Sequence, residues 1–473
     1  MDLEARASEV AEAPRKGLRD YHGGPAKEPS PVRSPSFFSA LALSCASALL
    51  AGAPAAQGSK VKSQRNGYDV VLFVLDDVAA ADLALYGGAV ATPHLAKLAQ
   101  EGVLFTNAYA NPVCATTRRS IQFGRWWLRG NGEACTTAVS PDTPRLEELT
   151  LAEALPAHTA AFFGKWHLGA VRGGTSWECA PLERGYEYWR AGLPANVLGD
   201  FFCSGSIGYR EWLRVEAGPE GCSSSVSSEY HPRAVLDAFL DLWPTMPWPR
   251  LACVNSNLAH APFHRPPADM LPPGYPPTTS ERERFEAMIT ALDENLGLML
   301  AEIDLATTLV IVIGDNGTPD LVAPEPERAK NTTFERGIRV PLIIAGGPTR
   351  MLGRSERDLV HAVDLWSTIV EAGGGDPRSP TSRSLLPVLR SKSHAPVHDA
   401  VLCGTLWSTR KGDRCVVTAG GLKLRQLDLD GDELADVEEL YDLVGDPAER
   451  TNLIARKPAA AAALRLWLEA ESP

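Results

Sequence analysis

Positive charge is in short supply. The chain sets 46 Lys and Arg against 58 Asp and Glu, a formal net charge of −12 over 473 residues. A broad grip on nucleic acid needs the opposite balance, so no nucleic-acid partner is expected and any anionic substrate must meet a local basic pocket. Long apolar runs are lacking too. Phe37 to Gly52 falls short of the roughly 20 residues that cross a bilayer, so no stable membrane insertion is expected. With Arg33 before it and Ala53-Pro54-Ala55-Ala56 after it, this run has the layout of a cleaved secretory signal, and export to the periplasm or beyond the cell is the expected localisation. No internal repeat stands out. Cysteine is sparse, nine in all. Export permits disulfides, and Cys203 with Cys222 and Cys403 with Cys415 are the expected pairs, while Cys253, inside an apolar run, reads as an inert buried thiol.

What is present suits a folded enzyme. Apolar content of 44% and charged content of 22% are ordinary for a globular chain, and the length allows two or three structural units. Asp69 to Leu75, Thr308 to Ile313 and Val340 to Ala345 are continuously apolar, the pattern of strands buried on both faces. Thr92-Pro93 can cap and start a helix through Leu95, Leu98 and Ala99 that ends at Gly102, and Phe285, Met288, Leu292, Leu296, Met299 and Ile303 mark another. The expected fold is α/β: a large, mostly parallel sheet sandwiched by helices, with a smaller C-terminal α+β subdomain. Residues 1–56 read as extension and signal peptide, 66–395 as the catalytic domain and 396–473 as the subdomain. Thr175 to Ser228 lacks sustained periodicity and reads as a long insertion over the active face, where substrate choice is expected.

The chemistry begins at strand ends. Asp76-Asp77 follows the first strand and Asp315-Asn316-Gly317 a later one, and ligand sites in open α/β sheets gather at such carboxyl ends. Three carboxylates and an amide offer only oxygen ligands, which suits one calcium, or magnesium, rather than zinc.

The segment Asn111-Pro112-Val113-Cys114-Ala115-Thr116-Thr117-Arg118, running on to Gly124-Arg125, resembles the signature of the type I sulfatases, the formylglycine-dependent branch of the alkaline phosphatase superfamily. The resemblance extends from Val70 to Leu453 through Gly164-Lys165-Trp166-His167-Leu168-Gly169, Ala259-His260-Ala261-Pro262, Lys330 to Glu335, Glu439-Leu440-Tyr441-Asp442-Leu443 and Thr451-Asn452-Leu453, in the family's order. Thr116 stands where the family mostly has proline or alanine, and Phe123 replaces a threonine.

The resemblance implies an arylsulfatase-like sulfuric ester hydrolase. A formylglycine-generating maturation enzyme would act on Cys114 as a partner, and the hydrated aldehyde would attack sulfur. Arg118 would steady residue 114, and Asp76, Asp77, Asp315 and Asn316 would hold calcium. Lys165, Lys330 and His260 would clamp the sulfonate and help protonate the leaving oxygen, while His167 would orient the second hydroxyl. A sulfated small molecule or carbohydrate is the expected substrate. The alternatives are a phosphodiesterase or phosphonate hydrolase of the same superfamily, or a non-catalytic glycan-binding relative whose Cys114 stays a thiol.

Three smaller signals invite separate readings. Asp428, Asp430, Asp432, Asp436 and Glu439 read as an acidic hairpin rather than a calcium loop, because Glu433 stands where such a loop needs glycine. Asn316-Gly317-Thr318 and Asn331-Thr332-Thr333 match glycosylation sequons but fall on the catalytic loops. Trp126, Trp127 and Trp177 read as packing before sugar stacking.

Overall fold

The structure, a computed structural model, describes residues 67–126, 148–169, 176–197, 208–407, 411–429 and 435–470. The signal-like run, Cys203, Trp127, Asp430, Asp432 and Glu433 lie outside the described residues.

Strand β1 (Asp69–Leu75) is buried throughout. Its side chains alternate between two cores, as a period of two requires. Val71, Phe73 and Leu75 join Leu95, Phe239 and Phe285, whereas Val70, Leu72 and Val74 join Ile121, Leu365 and Ile369. The following strands are β2 (Gly102–Phe105), β3 (Ala108–Tyr109), β4 (Thr159–Lys165), β5 (Tyr188–Leu193), β6 (Trp212–Gly218) and β7 (Gly221–Ser227). Next come β8 (Arg250–Asn255), β9 (Thr308–Gly314), β10 (Leu342–Gly346), β11 (Arg354–Glu356) and β12 (Val360–His361).

Ten of these strands form one sheet in the order β11-β2-β10-β9-β1-β8-β4-β5-β6-β7. The centre, β9, β1, β8, β4 and β5, is parallel. Helices cover both faces. α1 (Pro93–Gln100), α4 (His231–Leu242) and α5 (Glu281–Ala301) lie on the first core, while α2 (Cys114–Phe123), α3 (Leu151–Ala154), α7 (Asp364–Ala372) and α8 (Leu386–Arg390) lie on the second. The short α6 (Glu335–Ile338) sits between the late strand end and β10. A second sheet, β13 (Ala400–Trp407), β14 (Lys411–Thr418), β15 (Leu422–Asp428) and β16 (Val437–Asp442), is antiparallel and packs against α9 (Pro458–Ala470) through Leu424, Leu440 and Leu464. β15 and β16 pair antiparallel, and Asp436 accepts the Leu429 N–H at 2.6 Å.

Several expectations are corrected. The run at Val340 to Ala345 does become a strand, but β10 is antiparallel to both neighbours; burial on both faces produces continuous apolarity whatever the strand direction. Thr92 makes no side-chain cap; Asp293 of α5 accepts the His94 and Leu95 N–H groups at 3.0 and 2.9 Å instead. The stretch from Thr175 to Ser228 contributes β5, β6 and β7 to the sheet rather than lying wholly over it. Cys222 on β7 bonds to Cys179 and not to Cys203, because the turn at Trp177–Cys179 lies against that strand. Cys403 and Cys415 face each other across β13 and β14 but are thiols, and Cys253 is a buried thiol as expected. Trp126 packs on His361 with ring centroids 4.5 Å apart, which accounts for it without a sugar.

Candidate active site

The order β9-β1-β8-β4 sets four parallel carboxyl ends side by side, and each delivers polar residues to the same edge. β9 runs into Asp315 and Asn316, β1 into Asp76 and Asp77, β8 into Asn255 to His260, and β4 into Lys165 and His167. All these residues except His260 are buried by whole-residue exposure, and His260 is half-buried. Asp77 and His167 adopt left-handed backbone conformations, with φ of 64° and 56°, unusual for side chains of this kind and typical of functional sites.

Helix α2 begins at Cys114, whose Sγ therefore sits where the free N–H groups and positive end of a ten-residue helix favour negative charge. Burial nonetheless pushes the thiol pKa up, with the Lys165 and Lys330 cations opposing it. Arg118 lies one turn further along the same face. Its Nε donates to Asp315 Oδ2 at 3.0 Å, its Nη2 lies 2.8 Å from the same oxygen, and its Nη1 donates to the Lys165 carbonyl at 3.3 Å. Burial disfavours the guanidinium charge, but Asp315 and Asp76 more than restore it.

The two lysines come from distant segments. Lys165 Nζ donates to Asp76 Oδ2 at 2.7 Å, and Lys330 Nζ donates to Asp77 Oδ1. Burial works against both the Asp76 carboxylate and the Lys330 ammonium. Lys165 and Arg118 nevertheless hold the Asp76 pKa below the usual carboxylate range, and Asp77 holds Lys330 above the usual lysine range. Burial, with Lys165 and Arg118 nearby, keeps His167 neutral, and its Nδ1 lies 3.4 Å from Cys114 Sγ. Burial also lowers His260, against the pull of Asp77 at 3.8 Å. Because His260 Nδ1 meets the Ala261 carbonyl at 2.9 Å, that nitrogen carries the proton, and the bare Nε2 faces Asp77.

A cation fits the acidic pairs. Asp76, Cys114 and Asp315 bring ligand atoms within 4.8 Å of one another, with Sγ standing where an oxygen would lie after oxidation. Two buried oxygens, Asp76 Oδ1 and Asn316 Oδ1, meet no hydrogen-bond donor. Asn316 Nδ2 donates to Asp77 Oδ1 at 2.8 Å, so its oxygen is the atom left to bind a metal. Burial and the neighbouring Asp76 charge push the Asp315 carboxyl up to about 7, a penalty that a bound divalent cation would remove. Apart from the Cys114 sulfur, the donors offered by Asp76, Asp77, Asp315 and Asn316 are hard oxygens, in keeping with calcium or magnesium.

Thus all ten sequence-derived candidates, Asp76, Asp77, Cys114, Arg118, Lys165, His167, His260, Asp315, Asn316 and Lys330, converge on one edge. Supporting residues went unread. Asn255 Nδ2 donates to the Lys165 carbonyl at 3.0 Å, and the Tyr209 hydroxyl lies 2.6 Å from the carbonyls of both Asn257 and His260. The signal for Asn255 was there, since it ends a strand as Asp76 and Asp315 follow theirs; Tyr209 had none. Both sequons lie at the site, and Asn316 is fully buried.

This arrangement places the chain in a family. The family profile described as Sulfatase matches residues 68–375, and the chain belongs to that family. It is 26% identical over 322 residues to arylsulfatase J of Mus musculus, covering 64% of this chain and 52% of that protein. It is 27% identical over 359 residues to N-acetylgalactosamine-6-sulfatase of Homo sapiens, covering 68% of this chain and 65% of that protein. The chain therefore spans about half to two thirds of these relatives' length. A protein solved in complex with its substrate D-glucosamine-2-N,6-O-disulfate superimposes with a TM-score of 0.65 at 17% identity, over 85% of this chain and 97% of that one, which shows a shared fold.

Proposed function

We propose that this protein hydrolyses sulfate esters, with sulfated carbohydrate as the substrate class, through a nucleophile made by oxidation of Cys114 to formylglycine. The observation that carries the reading is the meeting of Cys114 with Lys165, His167, His260 and Lys330 over one oxygen-lined cation site. A sulfate ester presents three anionic or partly anionic oxygens and a poor leaving group, so its cleavage needs cations that do not wander and a proton for the departing alcohol.

Asp76, Asp77, Asp315 and Asn316 would hold calcium, which when bound supplies charge that acidifies the nucleophile and draws density from the sulfate. The remaining work falls to side chains. Lys165 and Lys330, tethered to Asp76 and Asp77, offer ammonium groups to the sulfonate oxygens. His167, neutral and beside residue 114, can take the proton of a hydroxyl there. His260 Nε2, the ring nitrogen not engaged with the backbone, is free to shuttle a proton to the leaving oxygen, with Lys330 as the charged donor alongside. Arg118 holds Asp315 in place and adds positive charge beneath the nucleophile.

Export belongs to the same proposal. The leader-like Phe37 to Gly52 supports it, and so does the Cys179–Cys222 disulfide, a bond that persists in oxidising compartments. Among the described residues no helix is long and apolar enough to cross a membrane. A maturation enzyme that accepts Thr116 in the cysteine motif is the implied partner.

The deciding experiment is mass spectrometry of the tryptic peptide Leu98 to Arg118 from protein made in its native host, paired with hydrolysis of aryl sulfate and aryl phosphonate esters. An aldehyde at position 114 with preferential sulfate release is the expected result. A thiol with no hydrolysis would overturn the reading in favour of a glycan-binding relative. Preferential phosphonate cleavage would move the chain to phosphoryl chemistry.

A further inference from the structure

The loop that carries Lys330 has little regular structure of its own, yet its ammonium must be fixed to act on a sulfonate. Two of its bonds lead back into the main domain: the Lys330 N–H donates to the Thr318 carbonyl and the Asn331 N–H to the Pro112 carbonyl, each at 2.9 Å. Thr333, Phe334 and Glu335 are held by the C-terminal sheet and the segment that follows it.

Asp413 on β14 accepts both the backbone N–H of Thr333 at 2.9 Å and its hydroxyl at 2.6 Å. Arg425 on β15 pairs with Asp413 at 2.6 Å, reaches Thr333 Oγ1 at 3.2 Å and lies 4.1 Å from the Phe334 ring centroid, where Arg328 also lies at 3.9 Å. Glu449 accepts the Glu335 N–H at 2.8 Å, and fully buried Lys423 bridges Glu449 at 2.8 Å and Glu335 at 3.3 Å. Asn331 and Glu449, at the two ends of this arrangement, both have left-handed backbones, with φ of 71° and 56°.

We propose that Asp413, braced by Arg425, is a positioning residue for Lys330, and that Lys423 with Glu449 performs the same task one step further along the loop. The C-terminal sheet thereby belongs to the sulfonate-binding machinery without touching the reacting atoms. The proposal rests on the sulfatase reading of the site. Its physical basis is that a charge displaced by about 1 Å loses much of its effect on a reacting group, so a loop whose internal bonds join only Thr332 to Ala329 beside Lys330 gains from outside anchors.

The test is a double-mutant cycle read by two methods, aryl sulfate turnover and calorimetric binding of inorganic sulfate, on the full chain carrying calcium. Asp413→Ala is expected to weaken sulfate binding and lower kcat by about tenfold or more in the parent, and to change neither further in a Lys330→Ala background. Asp413→Asn, which keeps a carbonyl oxygen for Thr333, is expected to recover part of the loss. Should Asp413→Ala fail to give a cooperative thermal transition, Asp413→Asn and Lys423→Met run through the same cycle. Equal losses in the parent and Lys330→Ala backgrounds would overturn positioning and leave a purely structural clamp. A parent protein that neither binds sulfate nor cleaves the aryl ester would overturn the sulfatase reading itself, and the proposal with it.

Discussion

Arg118 Nε donates to Asp315 Oδ2 at 3.0 Å across 197 residues of sequence. One bond therefore ties the helix that starts at Cys114 to the strand end that carries Asp315 and Asn316, two of the four proposed cation ligands. The geometry is forked, since Nη2 lies 2.8 Å from the same oxygen.

Lysine has the charge but not the fork. Arg118→Lys is expected to lower kcat for an aryl sulfate by about 10- to 100-fold while KM moves much less, because the charge remains but its placement against Asp315 is lost. Steady-state kinetics on protein with a verified aldehyde at position 114 checks this; an unchanged kcat would show that a positive charge suffices and the guanidinium geometry does not matter.

Cation binding should register as stability as well as activity. A cation about 100-fold above its Kd stabilises the folded state by about 2.7 kcal/mol. Thermal unfolding in chelator, then in calcium, is expected to show that gain, and Asn316→Ala, which removes an orphaned buried oxygen, is expected to shrink it. A melting temperature indifferent to calcium in the parent would count against the cation site.

The Cys179–Cys222 disulfide closes a loop across a sequence separation of 43 and ties a turn to the edge strand β7. Cys179→Ser with Cys222→Ser is expected to cost about 2–4 kcal/mol, and a reductant should lower the urea midpoint of the parent but not of the double variant. Equal sensitivity of both proteins to the reductant would place the susceptible bond elsewhere.

His361 predicts a loss of stability in acid. Its Nδ1 accepts the Val363 N–H at 3.1 Å, so the ring is neutral, and burial together with His398 holds its pKa well below the ordinary histidine value. The unfolded chain takes up this proton near pH 6.5 and the folded one does not, so its contribution is complete above about 6.5 and declines as pH falls. The cost is about 1.4 kcal/mol for each pH unit of that window. His361→Asn keeps an acceptor for Val363 but cannot titrate, and should flatten the slope of stability between pH 7 and 5. An unaltered slope would show that other groups set it.

Much of this site was legible because its chemistry is concentrated in short, strongly patterned segments. Asp76-Asp77 and Asp315-Asn316 each close a continuous apolar run, and the strand-end rule alone was enough to bring them together. Cys114 and Arg118 are one helical turn apart, so a local motif described a real spatial pair. The direction of β10 was not legible, since burial on both faces erases the difference between parallel and antiparallel neighbours. Nor was the partner of Cys222, which depends on which turn lies against β7. The clamp on Thr333 escaped for a related reason: Asp413 and Arg425 look like ordinary strand charges until the sheet is docked on the loop. Sequence patterns register neighbours along the chain and faces of elements, whereas these contacts join residues whose proximity only the tertiary fold creates.

Cys114 is 3% exposed, surrounded by groups drawn from three strand ends and the late loop. That enclosure imposes an order in time. Lys330 is contributed more than two hundred residues after Cys114, so the cysteine emerges from the ribosome long before its cover exists. The proposed oxidation of Cys114 would have to take place in that interval, and a chain that closed first would keep its thiol. Newly made protein would then divide irreversibly into two populations according to which event came first, and the active fraction would report a race between modification and folding.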